Sequence, residues 1–478
     1  MKKKIDISYL FIVLLMSNNI FAEIQINKEI SYLRNHISCA TLTAHVSDFN
    51  ENRLLHEIKK EANEQKNKDM YLFLWQSWNL RLMINEELSK LIPCRGTVRE
   101  LIFKLRGMED LVGFAFSGVK SQTSAGIDFQ KELIPMMEAS SNYGFFRKKN
   151  DHSSQQAQFE SGDLLVTRGA SFFSATLSSI TENPGDFSHF VLVHKNSNDQ
   201  TVETMESYAQ SGGVGIFSID FALKNENARI LHLRPRFTQI AKSGAEIMYQ
   251  KFLKQKNGNE KRTKYDFAMN LKNPKSMTCS EIAYWAFYQA SQGSIKIPES
   301  SSQVSEKLNP ILDMAGITKG PMLSPADMEV DSRFELLGEF KDYRLVADSR
   351  MRDAILRNIF GWIKTKNYGL HHDLSSFFLT YLIHPISKTP LWPMVNGVLN
   401  LSIPPEAPRG FVRLLYQINE MSEKIYLELQ KLNDRQIQQT GFALTKQEMD
   451  MALESIRVED LSRYEQSGSS LFHNFFHP

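Results

Sequence analysis

Three side chains in this sequence have the types needed for thiol-based acyl transfer: Cys279, His189 and Glu206. A cysteine nucleophile needs a base to take its proton and a third group to hold that base. Cys279 lies in Met277-Thr278-Cys279-Ser280-Glu281-Ile282-Ala283-Tyr284-Trp285-Ala286-Phe287. Ile282, Ala283, Ala286 and Phe287 recur at the spacing of one helical face. Thr278 followed three residues later by Glu281 is a capping-box pattern, which makes Cys279 the first helical residue. Unpaired N–H groups and the positive end of the helix dipole converge there, and both favour a thiolate. A free cysteine buried as a small apolar residue is an equally ordinary reading of this stretch alone.

The base and its holder require strands. His189 stands at the mouth of the apolar run Phe190-Val191-Leu192-Val193, where a ring can project from a strand end. Glu206 lies inside the strand-like Thr201–Tyr208 stretch. With Met205 facing the core, alternation turns Thr204 and Glu206 to the other face, where a carboxylate can accept from imidazole. Glu203 falls on the Met205 face and is the weaker choice. Taken singly, a His at a strand start is more often a structural hydrogen-bonding group, and a Glu in a strand a solvated one.

The N-terminus and the cysteine count bear on the thiol. Met1-Lys2-Lys3-Lys4, the apolar run Ile7–Met16 and Ser17–Ala22 follow the order of a secretory signal. Cleavage is expected after Ala22, giving an exported chain, periplasmic or extracellular and bacterial. The apolar run is short for a membrane span, which takes about 20 residues, so no transmembrane segment is expected in the mature chain. In an oxidising compartment, three cysteines leave one unpaired. Cys39 and Cys94 share one N-terminal region, and their pairing would leave Cys279 as the free thiol.

A chain of 478 residues exceeds one typical domain. Its net charge of +2 is small for that length and gives no argument for a nucleic-acid partner. Periodicity divides it into a signal peptide (1–22), a helical N-terminal region (23–155), a mixed α+β section (156–345) and a helical C-terminal region (346–478). Asn52–Lys66 and Tyr71–Leu91 read as helices, Gly107–Gly126 as a loop, Phe129–Ala139 as a helix and Lys148–Gln156 as a linker. Strands are expected at Leu164–Val166, Phe190–Val193, Thr201–Tyr208, Val214–Phe217, Ala228–Arg234 and Phe334–Phe340. Helices are expected at Ala241–Lys254, Ser280–Ser291, Met351–Lys364, Phe411–Leu432 and Thr445–Ile456. Ser375–Ile386 is apolar but about half of a membrane span.

Gly162-Asp163-Leu164-Leu165, Ser188-His189-Phe190-Val191-Leu192-Val193, Met205-Glu206-Ser207, Tyr265-Asp266-Phe267 and Thr278-Cys279-Ser280-Glu281 occur in this order. The series resembles the permuted branch of the NlpC-type papain-like superfamily, the YiiX-like amidases and peptidases. The resemblance covers about Gly162 to Arg344. It implies a permuted papain-like domain with a small antiparallel sheet and a nucleophile-bearing helix, and a cysteine peptidase or amidase without cofactor. It implies Cys279 as nucleophile, His189 as general base and Glu206 as the group orienting the His. Asp163 resembles the family's strand-initiating residue, which is not catalytic. The stretch between Gly169 and His189 is long for the pattern, and Met277 stands where an aromatic is common. The implied substrates are amides of peptides, isopeptides or cell-wall peptides. A non-catalytic binding protein on the same fold and a lipid acyl hydrolase or acyltransferase are the competing expectations.

Other candidates are weaker. His371-His372-Asp373 has no further metal-ligand spacing around it, and His194 follows its strand too late to replace His189. The sequence contains no phosphate-binding glycine loop.

Overall fold

The computed structural model describes residues 24–61, 63–119, 143–147, 159–181, 185–224, 226–271, 273–304, 306–318, 321–371, 381, 384–386, 389, 394 and 406–478. The expected signal peptide, the Phe129–Ala139 helix, the Lys148–Gln156 linker and most of Ser375–Ile386 lie outside the described residues.

Five helices lead the chain: α1 (Gln25–Asn35), α2 (Cys39–His45), α3 (Glu51–Lys59), α4 (Asn63–Glu87) and α5 (Arg95–Val119). A disulfide joins Cys39 to Cys94, with Cα atoms 5.6 Å apart, and so ties the start of α2 to the residue before α5. Of the expected Gly107–Gly126 loop, the part up to Val119 is instead the second half of α5, and the rest lies outside the described residues. Leu101, Ile102, Leu105, Met108, Leu111, Val112 and Ala115 are buried along one face and carry the helix through both glycines. Gly113 is there for space, since a Cβ at that position would overlap the Tyr343 ring. Burial against a partner element thus outweighs the helix-weakening effect of glycine, about 1 kcal/mol per residue.

The middle of the chain builds one antiparallel sheet of seven strands: β1 (Tyr143–Arg147), β2 (Leu164–Gly169), β3 (His189–Lys195), β4 (Val202–Tyr208), β5 (Gly213–Ser218), β6 (Asn227–Pro235) and β7 (Phe334–Asp342). Their order is β1-β7-β6-β2-β3-β4-β5. The edge strand β1 precedes the expected linker and pairs with β7, Phe145 opposite Phe340. A short helix unread in the sequence, α6 (Phe172–Ser179), fills the long stretch before His189. Then follow α7 (Ile219–Lys224), α8 (Thr238–Lys256), α9 (Cys279–Ala290), α10 (Asn309–Ala315), α11 (Tyr343–Lys366), α12 (Arg409–Thr440) and α13 (Lys446–Ser467). The result is a mixed α and β architecture with an antiparallel sheet and helical flanks.

Two cores hold it. In the first, α8 and α9 cover the sheet face that carries Leu164, Val166, Phe190, Leu192, Met205, Leu231 and Leu233, and the same cluster runs on into the N-terminal helices. Gly244 on α8 lets α9 come close: a Cβ there would sit 2.6 Å from the Ala286 carbonyl oxygen. The second core joins α6, Tyr265 and Phe267 to α10–α13.

Charge as well as apolar surface fastens α4 and α5 to the sheet. Arg81 lies 2.8 Å from Glu109 and 2.5 Å from Glu339. Arg106 reaches Glu339 at 3.2 Å and Asp186 at 3.0 Å, and also pairs with Glu329. Arg229 meets Asp110 at 2.5 Å, and Lys341 meets Glu109 at 2.8 Å and Asp110 at 3.0 Å. Burial penalises the Asp110 carboxylate, but the Arg229 and Lys341 charges outweigh that and hold it below its ordinary range. The desolvation of these buried charges is offset by their close partners.

Candidate active site

Helix α9 begins as its sequence dictates. The Thr278 hydroxyl accepts the Glu281 N–H, and the Glu281 carboxyl accepts the Thr278 N–H at 2.8 Å. Cys279 is therefore the first helical residue, and its N–H has no acceptor within the helix. The start of α9 is pinned from two sides. Ser207 on β4 donates its hydroxyl to the Met277 carbonyl at 2.7 Å, and the Met277 N–H reaches the Lys264 carbonyl at 2.8 Å.

Alternation on β4 does what the pattern requires. Met205 enters the core under α8 and α9, while Glu206 turns to the opposite face. There Glu206 is fully buried and held by three donors. His189 Nε2 lies 3.0 Å from Oε2, the Tyr208 hydroxyl 2.5 Å from the same oxygen, and the Thr204 hydroxyl 2.8 Å from Oε1. The Tyr208 ring also stacks on the imidazole, centroids 4.7 Å apart. His189 is fixed along the chain because Ser188 donates its N–H to Thr167, opposite His189 in the β2–β3 register.

With Nε2 taken by Glu206, the other ring nitrogen is left for sulfur, and the Cys279 side chain hydrogen-bonds to His189. The N–H groups of Phe190 and Ser280 also donate to the sulfur. Burial alone would push the thiol up. The His189 charge and hydrogen bond, with those two N–H groups, outweigh it and lower the thiol below its ordinary value. Burial likewise disfavours the imidazolium, but Cys279 and then Glu206 raise His189 to about 10. Both shifts favour the thiolate–imidazolium form, the reactive form of a cysteine nucleophile.

Cys39 and Cys94 are consumed by their disulfide, so Cys279 is the free thiol. A cavity of about 350 Å³ opens beside it. Its apolar wall is Leu177, Met269, Leu271, Met322, Leu323 and Pro325, and Ser188, Tyr265 and Glu281 also face it. Burial, reinforced by the neighbouring Asp266 and Cys279, pushes the Glu281 carboxyl up to about 8. Burial also lifts Tyr265 well above its ordinary range.

The remaining candidates serve structure. Asp163 accepts from the Glu160 N–H at 3.0 Å, from His232 at 2.8 Å and from Arg234 at 2.8 and 2.7 Å, tying the start of β2 to β6. His194 meets Glu246 of α8 at 2.7 Å and stacks on Tyr249. His371 stacks on His477, while His372 and Asp373 lie outside the described residues. Among the described residues, no group of three or more His, Cys, Asp or Glu could hold a metal ion, and no helix is long and apolar enough to cross a membrane.

Sequence reasoning missed Tyr208, placed Thr204 on the Glu206 face without giving it a role, and quoted Ser207 only as a motif member. The signal was available: Thr204, Glu206 and Tyr208 alternate onto one strand face, so two hydroxyls flank the carboxylate. Ser188 and Tyr265 were quoted only as members of motifs. Comparison with protein-family models, with curated proteins and with solved structures finds no match to this chain.

Proposed function

We propose that this protein is an exported, thiol-dependent hydrolase of amide bonds, built as a permuted papain-like domain of the NlpC type. One observation carries the reading: the imidazole of His189 sits between the Cys279 sulfur and the buried Glu206 carboxylate, 3.0 Å from the latter, at the first turn of a capped helix. The Cys39–Cys94 disulfide supports an oxidising location.

In the acylation step the Cys279 thiolate attacks the amide carbonyl carbon, and a C–S bond forms as the carbonyl electrons move to oxygen. That oxyanion is met by the unpaired N–H of Cys279 at the positive end of α9. The C–N bond then breaks as His189 gives its proton to the departing amine. Water, deprotonated by His189, attacks the thioester, the C–S bond breaks and the acid leaves. Glu206, itself held by Tyr208 and Thr204, keeps the ring in place and stabilises its charge. It is a positioning residue.

The test is covalent labelling by an acyl-directed electrophile, followed by hydrolysis of a peptide-amide library. Labelling at Cys279 that is lost in Cys279→Ala together with hydrolysis supports the reading. Hydrolysis retained in Cys279→Ala, or a thiol that titrates near its ordinary 8.5, sinks it.

A further inference from the structure

Two features of the cavity beside Cys279 belong to neither the thiol nor its base. The first is an unpaired polar group. Ser188 is 3% exposed, its hydroxyl is buried with no hydrogen-bond partner, and the residue lines the cavity one position before His189. A buried hydroxyl left unmatched costs about 1–3 kcal/mol, a cost that a ligand with a suitable polar atom removes. The second is the composition of the wall: six apolar side chains form the larger part, with Asn270, Ser301, Thr318 and the Glu281 carboxyl completing it.

We infer that this cavity receives the acyl half of the substrate as a peptidyl group whose side chain is uncharged and apolar, with Ser188 hydrogen-bonded to that group's peptide unit. The inference rests on the hydrolase reading for which half of the substrate is held there. The apolar wall, formed by Leu177, Met269, Leu271, Met322, Leu323 and Pro325, suits a branched aliphatic or thioether side chain. A plain fatty acyl chain would leave Ser188 as it is, buried and unmatched. An acidic side chain would lose its water beside Glu281, which has Asp266 and the Cys279 thiolate as its charged neighbours. A basic side chain would bury its charge against the apolar wall beside a Glu281 carboxyl that burial pushes up to about 8, and so would find no full counter-charge there.

The experiment measures binding, so its result stands apart from whether Cys279 is a nucleophile. Full-length Cys279→Ala protein carrying ¹³C-methyl methionine is titrated with N-acetyl dipeptide amides whose second residue is Leu, Glu or Lys, and with octanamide. Met269 and Met322, both in the wall, report occupancy and are assigned through Met269→Leu and Met322→Leu. The leucyl ligand is expected to shift both methyl signals at concentrations roughly tenfold below the glutamyl and lysyl ligands. Ser188→Ala is expected to weaken the leucyl ligand several-fold without affecting octanamide. The inference is overturned if the charged ligands or octanamide bind as well as the leucyl ligand. It is overturned equally if no ligand shifts the two methyls, or if Ser188→Ala leaves the leucyl ligand unchanged.

Discussion

The Glu206→Gln substitution isolates the charge that holds His189. Glutamine keeps the shape and an oxygen able to accept from the ring, so the geometry at 3.0 Å can persist while the negative charge is lost. A hydrogen bond to a charged group is worth about 1.5–3 kcal/mol. At about 1.4 kcal/mol per pKa unit, the imidazolium should fall by roughly one to two units from its raised position. Because His189 and Cys279 titrate as a pair, the thiol should rise by a similar amount. The sign runs one way. The ion pair exists above the lowered thiol value and below the histidine value of about 10. The substitution moves the two limits toward each other and narrows the window from both sides. Alkylation by iodoacetamide, read by mass spectrometry across pH, follows this directly because Cys279 is the free thiol. On the acid side of the window the rate should drop about 10- to 100-fold, the range that one to two pKa units imply. Tyr208→Phe, which removes a donor to the same oxygen but keeps the charge, should have a smaller effect. An unchanged profile in Glu206→Gln would refute the claim that the carboxylate supports the pair.

Two further outcomes test the frame. Lys341→Met removes the cation shared by Glu109 and Asp110 and leaves buried carboxylates short of a partner, so unfolding free energy from urea titration should fall by about 3–5 kcal/mol. Reducing the Cys39–Cys94 bridge, which spans a sequence separation of 55, releases a closed loop and should lower stability by up to about 4 kcal/mol. A urea midpoint that is the same with and without reductant would contradict that.

The parts of the site readable in the sequence were those set by local rules. The Thr278 and Glu281 cap follows from a four-residue pattern, and both of its hydrogen bonds are present. The split between Met205 and Glu206 follows from the period of a strand, and it places the carboxylate where His189 can reach it. The Cys39–Cys94 pairing followed from parity and proximity. What stayed hidden depends on partners distant in sequence. Gly107 and Gly113 looked like breakers because the Tyr343 ring that needs the space at Gly113 comes from a far helix. Nothing local in the sequence marks Arg81, Arg106, Glu109, Glu339 and Lys341 as buried, and only the packing of α4 and α5 on the sheet turns them inward. The edge strand β1 is five residues long, with an aromatic run and no alternation to mark it.

The flanks have a consequence for the chemistry. Met277, Cys279 and Ile282 belong to the core that runs into the N-terminal helices, whereas Tyr265 belongs to the core of the C-terminal helices. Tyr265 and Cys279 face one cavity, so the cavity lies along the seam between the two cores. The Met277 N–H to Lys264 carbonyl bond crosses that seam one residue before Tyr265 and two before Cys279. A packed core resists small displacements, but a seam between two cores can shift as they move against each other. A displacement of the C-terminal helices against the first core would therefore be felt at the cavity wall. The cavity is thus shared between the two flanks' cores, with Cys279 in the first and Tyr265 in the second.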